Sequence, residues 1–166
     1  MSLIYNIGTS GITVLTTTQI QGLSTDDIAS LTTAQVAILN TAQIVALKTN
    51  QIAALTTSGI AALTTLQVVA IETADVAALK SSQVAALTTL GVANMTTAQI
   101  QAISTAGIAA LSTSQAVNLT TTQVVALTSS QISAVSAADI TALTTLQVVA
   151  IETADVAALK LSLIHI

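Results

Sequence analysis

The chain has 166 residues, of which 52% are hydrophobic and only 6% are charged, and its net charge is −4. The three basic residues, Lys48, Lys80 and Lys160, cannot form the cationic surface that nucleic-acid binding requires. Cysteine is absent, which excludes disulfides and thiolate metal sites. The sole aromatic residue is Tyr5, so a core built from aliphatic side chains must be thin.

The first six residues, Met1 to Asn6, precede the pattern that fills most of the chain. They are largely apolar, and Gly8 and Gly11 loosen the segment that follows them. Because the end units of repeat arrays are degenerate, residues 1–6 are predicted to form an N-terminal lead-in or cap. No basic region followed by an apolar stretch marks an ordinary secretory signal peptide.

From Ile7 to Lys160 the chain repeats one eight-residue unit, here called the octad. Its columns, numbered one to eight, read aliphatic, Thr/Ser, Thr, variable, Gln, Ile/Val, Ala, Ala. Nineteen complete octads run to Ala158 without insertion or deletion, which predicts a stacked repeat architecture over residues 7–160. Residues 63–80 recur letter for letter at 143–160, through either natural duplication or misassembly of a repetitive gene.

A continuous helix or strand does not fit the octad. Eight residues advance a column by about 80° beyond two full turns of an α-helix, so the aliphatic column would wind around the cylinder. In a straight strand, columns one and six would lie on opposite faces. Mean hydropathy is high, at +0.85, but each octad inserts Thr-Thr and Gln. No stretch therefore approaches the roughly 20 apolar residues of a membrane-spanning helix.

One short helix in each octad resolves the conflict. In the octad that begins at Leu31, Thr32 and Gln35 have the spacing of a capping box. Val36 and Leu39 share a helical face, and helices this short need neighbours for stability. The predicted fold is an all-α solenoid of very short helices, one per octad. The alternative is a β-solenoid, since Thr, Ile and Val favour strands and the Thr33 column fits the capped helix less well.

The pattern ends at Lys160. Residues 161–166, Leu-Ser-Leu-Ile-His-Ile, place Leu in a hydroxyl column and never restore the register. This tail resembles the conceptual translation of a terminal sequencing-library adapter, in which case the chain is a fragment of a longer array from a metagenomic source. The alternative is a natural apolar capping tail.

Residues with catalytic or metal-binding chemistry are scarce. The single histidine, His165, lies in the tail, so no base is available elsewhere to activate a serine or threonine nucleophile. The acidic pairs fit helix starts, where the dipole favours carboxylates, better than they fit a calcium site. Three glycines that replace Gln in the fifth column form no phosphate loop and are expected to relax a turn. The acidic pairs are Asp26-Asp27, Glu72 with Asp75, and Glu152 with Asp155; the glycines are Gly59, Gly91 and Gly107.

The segments Leu31-Thr-Thr-Ala-Gln-Val-Ala and Leu119-Thr-Thr-Thr-Gln-Val-Val-Ala carry a family resemblance. They resemble the Thr/Gln/Ala-rich octapeptide arrays of very large bacterial secreted or surface proteins, which are often adhesin-like. The resemblance covers Ile7 to Lys160. It implies a long extracellular stalk or spacer and carries over no functional residue.

The sequence thus predicts a non-catalytic structural module on the surface of, or secreted by, a bacterium. No catalytic, metal or cofactor residue is assigned, and no cofactor or small-molecule substrate is expected. The predicted partners are neighbouring repeats of the same longer chain, without nucleic acid or a membrane span. Two alternatives are a ligand-binding or ice-binding solenoid that uses a regular Thr face, and a protein-interaction solenoid.

Overall fold

The computed structural model describes residues 8–151, and this part of the chain contains eighteen short helices and no strand. The predicted all-α solenoid of one helix per octad is confirmed, and the β-solenoid alternative is wrong. The predicted lead-in at 1–6 and tail at 161–166 lie outside the described residues. The helices are α1 Thr9–Thr13, α2 Thr17–Gly22, α3 Thr25–Ala29, α4 Thr33–Ala37, α5 Thr41–Ala46, α6 Thr49–Ile52, α7 Thr57–Ala61, α8 Thr65–Ala70, α9 Thr73–Ala77, α10 Ser81–Ala86, α11 Thr89–Asn94, α12 Thr97–Ala102, α13 Thr105–Ala109, α14 Thr113–Val117, α15 Thr121–Ala126, α16 Ser129–Ile132, α17 Ala137–Ala142 and α18 Thr145–Ala150.

Every described helix begins at the third column, because the second column supplies its N-cap. Thr32 has extended backbone angles, φ −71° and ψ 158°, and its Oγ1 accepts the N–H of Gln35 at 3.2 Å. Gln35 Oε1 in turn accepts the N–H of Thr32 at 2.9 Å. The capping box predicted from the sequence is therefore present. The third-column Thr33 is the first helical residue and lies exposed at the surface.

The chain turns between helices through extended residues. After α5, Leu47 has φ −63° and ψ 136°, and Lys48 continues with φ −78° and ψ 157°. Two such residues in succession redirect the chain before the next helix begins. No residue of the described part has a positive φ, so these corners need neither glycine nor a left-handed conformation.

Successive coils stack helix on helix. Each helix packs against the third helix before it in the chain, as α5 does against α2 and α8 against α5. The first turn of α5 also reaches back to the corner between α1 and α2, where the Gln43 side chain contacts the Ile12 and Leu15 carbonyls. A coil therefore takes more than three octads and fewer than four.

The core is one continuous column of aliphatic side chains, as the composition predicts. Sixth-column residues such as Ile52 are fully buried, and first-column residues such as Leu55 lie beside them. Fourth-column residues such as Ser58 are exposed, which explains their variability. Ala116 is the one sixth-column residue without a branched side chain in the described part, and it lines a cavity of about 20 Å³.

Candidate functional site

The acidic residues singled out in the sequence lie at helix starts. Asp27 Oδ2 accepts the N–H of Ser24 at 3.0 Å and its hydroxyl at 2.7 Å, so the predicted carboxylate cap is confirmed there. Asp139 accepts the Ser136 hydroxyl at 2.6 Å in the same way. The Glu72–Asp75 pair differs from these two, because Glu72 occupies the N-cap position of α9 without a side-chain cap hydrogen bond.

These carboxylates do not converge on one point. Among residues 8–151, no group of three or more His, Cys, Asp or Glu side chains is placed to hold a metal ion. Glu152, Asp155 and His165 lie outside the described residues. Within the described range, no helix has the length and apolarity to cross a bilayer.

The three fifth-column glycines singled out in the sequence do not lie in turns, so that prediction is wrong. Gly59, Gly91 and Gly107 are buried at the third position of α7, α11 and α13. A Cβ at residue 107 would lie only 2.7 Å from Ile103 Cγ2 and 3.1 Å from Val84 Cγ2. Glycine at this position therefore permits close packing between helices.

The most regular polar feature is the fifth-column glutamine, which caps its own helix. Gln99 Oε1 accepts the N–H of Thr96 at 2.9 Å, and the Gln99 N–H donates to Thr96 Oγ1 at 3.2 Å. The reciprocal half persists where the N-cap is a lysine, because the Lys48 N–H donates to Gln51 Oε1 at 2.7 Å. One end of each amide is therefore committed to its own helix start.

The other end of the amide reaches the preceding coil. Gln99 Nε2 donates to the carbonyl oxygens of Val68 at 3.0 Å and Ile71 at 2.8 Å, with Val69 at 3.2 Å. These carbonyls lie at the C-terminal end of α8. The helix stops there, so the N–H groups four residues later, which would bond these carbonyls within a longer helix, are not available. One planar amide thus supplies an acceptor to its own helix start and donors to the helix end of the coil before.

This arrangement recurs along the array and is here called the glutamine ladder. In each member, Nε2 lies 2.7–2.9 Å from the first-column carbonyl oxygen. It lies 2.8–3.2 Å from the sixth-column carbonyl oxygen. Burial strengthens these bonds, since water does not compete for the carbonyls. The members are Gln43, Gln51, Gln67, Gln83, Gln99, Gln115, Gln123, Gln131 and Gln147.

Sequence reasoning predicted the hydrogen bonds by which each glutamine caps its own helix. It missed the hydrogen bonds that the same side chains donate to the preceding coil. A signal was present in the fifth column, which holds eleven Gln and no Glu over the nineteen octads. Glu serves a capping box as well as Gln does, but a carboxylate cannot donate to a carbonyl. Asp, with a shorter carboxylate, occupies four positions of the column, but every fifth-column side chain of Gln or Glu length is an amide, which indicates that the amide nitrogen donates a hydrogen bond of its own.

Comparison with known proteins gives one family. A family model described as the ALTTAQ repeat matches residues 4–41, 34–65, 68–105 and 92–129. These four overlapping matches span most of the chain and follow one another in tandem, as a repeat array requires. No curated protein and no solved structure matches the chain.

Proposed function

Because the chain belongs to the ALTTAQ repeat family, we propose that it is a non-catalytic spacer, a stalk segment within a larger bacterial surface or secreted protein. The glutamine ladder is the observation that supports this proposal most directly. Every rung uses the same two groups, a helix start and the helix end of the coil before. Length can therefore be added one octad at a time without altering any earlier contact.

A spacer must also resist bending and local unfolding. The aliphatic core runs from Ile12 to Ile151 without a break between units. Nine of the buried fifth-column amides join this core from coil to coil. Because the stability of such an array is a sum of unit and neighbour terms, a longer array gains stability in proportion to its length.

The composition of the surface suits a module that contacts the neighbouring repeats of its own array. Exposed columns of the described residues carry mostly Thr, Ser and Ala, and the larger buried groups serve the core or the ladder. The proposed partners are accordingly adjoining repeats of the parent chain. Secretion and anchoring domains in the continuous reading frame that encodes the array would support the surface location. A frame that encodes cytoplasmic domains on both sides would contradict it.

The spacer role is tested by changing length. Residues 63–142 form ten octads in register, and a chain carrying a second copy of this block should be longer by the corresponding number of coils. Small-angle X-ray scattering should then show an increased maximum dimension with an unchanged cross-sectional radius. A rise in cross-section, or no gain in maximum dimension, would refute the spacer model.

A hydroxyl surface for ligand or ice binding is the second candidate. Third-column hydroxyls such as those of Thr33 and Thr97 are exposed and make no hydrogen bond with the described residues. However, the second-column hydroxyls serve as caps, and the flat strand on which such a ladder depends is absent from residues 8–151. Thermal hysteresis no greater than that of buffer would eliminate ice binding.

A further inference from the structure

Two asparagines lie in the eighth column, which otherwise holds mostly alanine. They are Asn94 and Asn118, and no other octad has Asn in this column. Residues 94–96 read Asn-Met-Thr and residues 118–120 read Asn-Leu-Thr. The pattern Asn-x-Ser/Thr, with x other than proline, is the acceptor motif for N-linked glycosylation. The octad supplies the hydroxyl residue of the motif, because the second column follows the eighth by two residues.

Both asparagines lie at the ends of their helices. Asn94 is the last residue of α11, and Asn118 is the C-cap of α14. Both are exposed. The two residues after Asn94 are extended, since Met95 has φ −59° and ψ 145° and Thr96 has φ −68° and ψ 158°. Each motif therefore presents its asparagine at the surface, beside a corner of the coil.

The amide nitrogen of each asparagine keeps one hydrogen available. Asn94 Nδ2 donates to the carbonyl oxygen of Leu90 at 2.8 Å, and Asn118 Nδ2 donates to that of Ser114 at 2.8 Å. An asparagine amide has two N–H donors, and neither nitrogen has a second partner among residues 8–151. Glycosylation replaces one of the two hydrogens. The bond to the helix carbonyl is therefore compatible with an attached sugar.

The two asparagines also lie on stacked helices. They are three octads apart in the sequence, and α11 packs directly against α14. Packed helices lie about 8–10 Å from each other. Sugars attached to Asn94 and Asn118 would therefore project side by side from one side of the array.

The other asparagines of the described residues lack the motif. Asn40 is the N-cap of α5, where its Oδ1 accepts the N–H of Gln43 at 2.9 Å, and Asn50 lies in the first turn of α6. Both are exposed, but the residues two positions later are Ala42 and Ile52. Asn40 and Asn50 are therefore internal controls, since they are exposed asparagines without the hydroxyl residue.

We propose that Asn94 and Asn118 are acceptor sites for N-linked glycosylation by a glycosyltransferase. In the transfer step, the asparagine Nδ2 forms a bond to C1 of a sugar that is carried on a pyrophosphate. The bond between C1 and the pyrophosphate oxygen breaks, and its electron pair leaves with the pyrophosphate. The proton lost from Nδ2 passes to a base of the transferase. This proposal rests on the proposed surface or secreted location, because the modification is found on the surface of secreted proteins.

Site-resolved mass spectrometry tests the proposal in two arms. In the first, the full chain carries a cleavable secretion signal and is exported from a host that has an oligosaccharyltransferase and a lipid-linked sugar pyrophosphate. In the second, the purified chain is incubated with a soluble N-glycosyltransferase and a nucleoside-diphosphate sugar. Glycopeptides should contain Asn94 and Asn118 in at least one arm, and that arm identifies the class of sugar donor.

Asn40 and Asn50 should stay unmodified in both arms. Absence of sugar from residues 94 and 118 in both arms would overturn the proposal. Equal modification of residues 40 and 50 would also overturn it, because exposure alone would then decide which asparagines react.

Two variants of Thr96 separate the motif from the fold. Thr96→Asn removes the hydroxyl but keeps an N-cap, as Asn40 does for α5, and it should abolish modification of Asn94 while Asn118 stays modified. Thr96→Ser keeps both the cap and the hydroxyl, and it should retain modification at both sites. Both variants should keep the wild-type circular dichroism spectrum. Unchanged modification of Asn94 in Thr96→Asn would contradict the role of the motif.

Failure of this proposal and failure of the spacer proposal are separate results. The double variant Asn94→Gln with Asn118→Gln removes both acceptors and changes no octad in length. It should lose all N-linked sugar and keep the maximum dimension of the unmodified wild-type chain in solution scattering. The spacer proposal is tested by the array with the duplicated block, whether or not sugar is attached.

Discussion

Replacing Gln99 with Glu exchanges one amide nitrogen for an oxygen and leaves the shape of the side chain unchanged. The capping contact with the Thr96 N–H, at 2.9 Å, is retained. The hydrogen bonds that the Gln99 amide nitrogen donates to the Val68 and Ile71 carbonyls, at 3.0 and 2.8 Å, are lost. A carboxylate oxygen would then face two carbonyl oxygens at a site that is 2% exposed.

The magnitude follows from these contacts. A buried acceptor left without its donor costs about 1–3 kcal/mol. The Ile71 carbonyl loses its donor here, whereas the Val68 carbonyl keeps the N–H of Ile71 at 3.2 Å. The unpaired Ile71 carbonyl and the carboxylate buried against it should together destabilise the variant by about 2–3 kcal/mol at neutral pH. Urea unfolding followed by circular dichroism measures the total loss. Amide hydrogen exchange should place the loss around α8 and α12, because repeat arrays transmit contacts only to neighbours.

The effect should depend on pH with a definite sign. Burial opposite two carbonyls disfavours the charged form and raises the pKa of the introduced carboxyl. Below the unfolded value of about 4.3 the group is protonated in both states, and the penalty is smallest. Stability is lost as pH rises from there through the folded pKa. The variant should therefore approach wild-type stability in acid and fall behind it at neutral pH.

Gln19 provides the matched control. Its Oε1 caps Thr16 at 2.8 Å, but it is exposed and its amide nitrogen donates to none of the described residues. Gln19→Glu should thus change stability by less than about 0.5 kcal/mol. If the variants at residues 19 and 99 lose the same stability at neutral pH, the ladder between coils does not stabilise the fold as argued.

Further substitutions test the core and the close contacts between helices. Ala116→Val adds two methyl groups beside the cavity of about 20 Å³. It should raise the free energy of unfolding, measured by urea titration, by about 1 kcal/mol. A lower free energy of unfolding would mean that the cavity cannot accept the two methyl groups. Gly107→Ala should destabilise by about 1–3 kcal/mol because its Cβ clashes. Gly22→Ala, with open space around it, should stabilise by about 0.5–1 kcal/mol. Thermal melts that reverse this order would refute the contact argument. The double variant Ile52→Asp with Leu55→Asp should abolish helical circular dichroism in the surrounding octads, because buried unpaired charge is costly. A thermal melt like that of the parent would show that these columns are not core.

The helix positions were predictable because the octad carries complete local signals. Thr32 and Gln35 are spaced for reciprocal capping, and both bonds form within one helix turn. The buried columns were predictable for a similar reason, since Val36 and Leu39 are uniformly aliphatic along the array. The predicted role of the fifth-column glycines failed. Gly107 is explained by Ile103 and by Val84 from an earlier coil, and a contact between coils leaves no local signal.

The sequence by itself determined a capped helix in every octad and an aliphatic core, because those features depend on residues within a few positions of each other. Only the tertiary structure decided how the coils stack, and therefore that Gln99 also binds carbonyls about thirty residues earlier. The same stacking places Asn94 and Asn118 on adjoining helices of one surface. Both depend on how many octads complete a coil. That number is set by the angles of the extended corners summed over several helices, which column patterns alone do not encode.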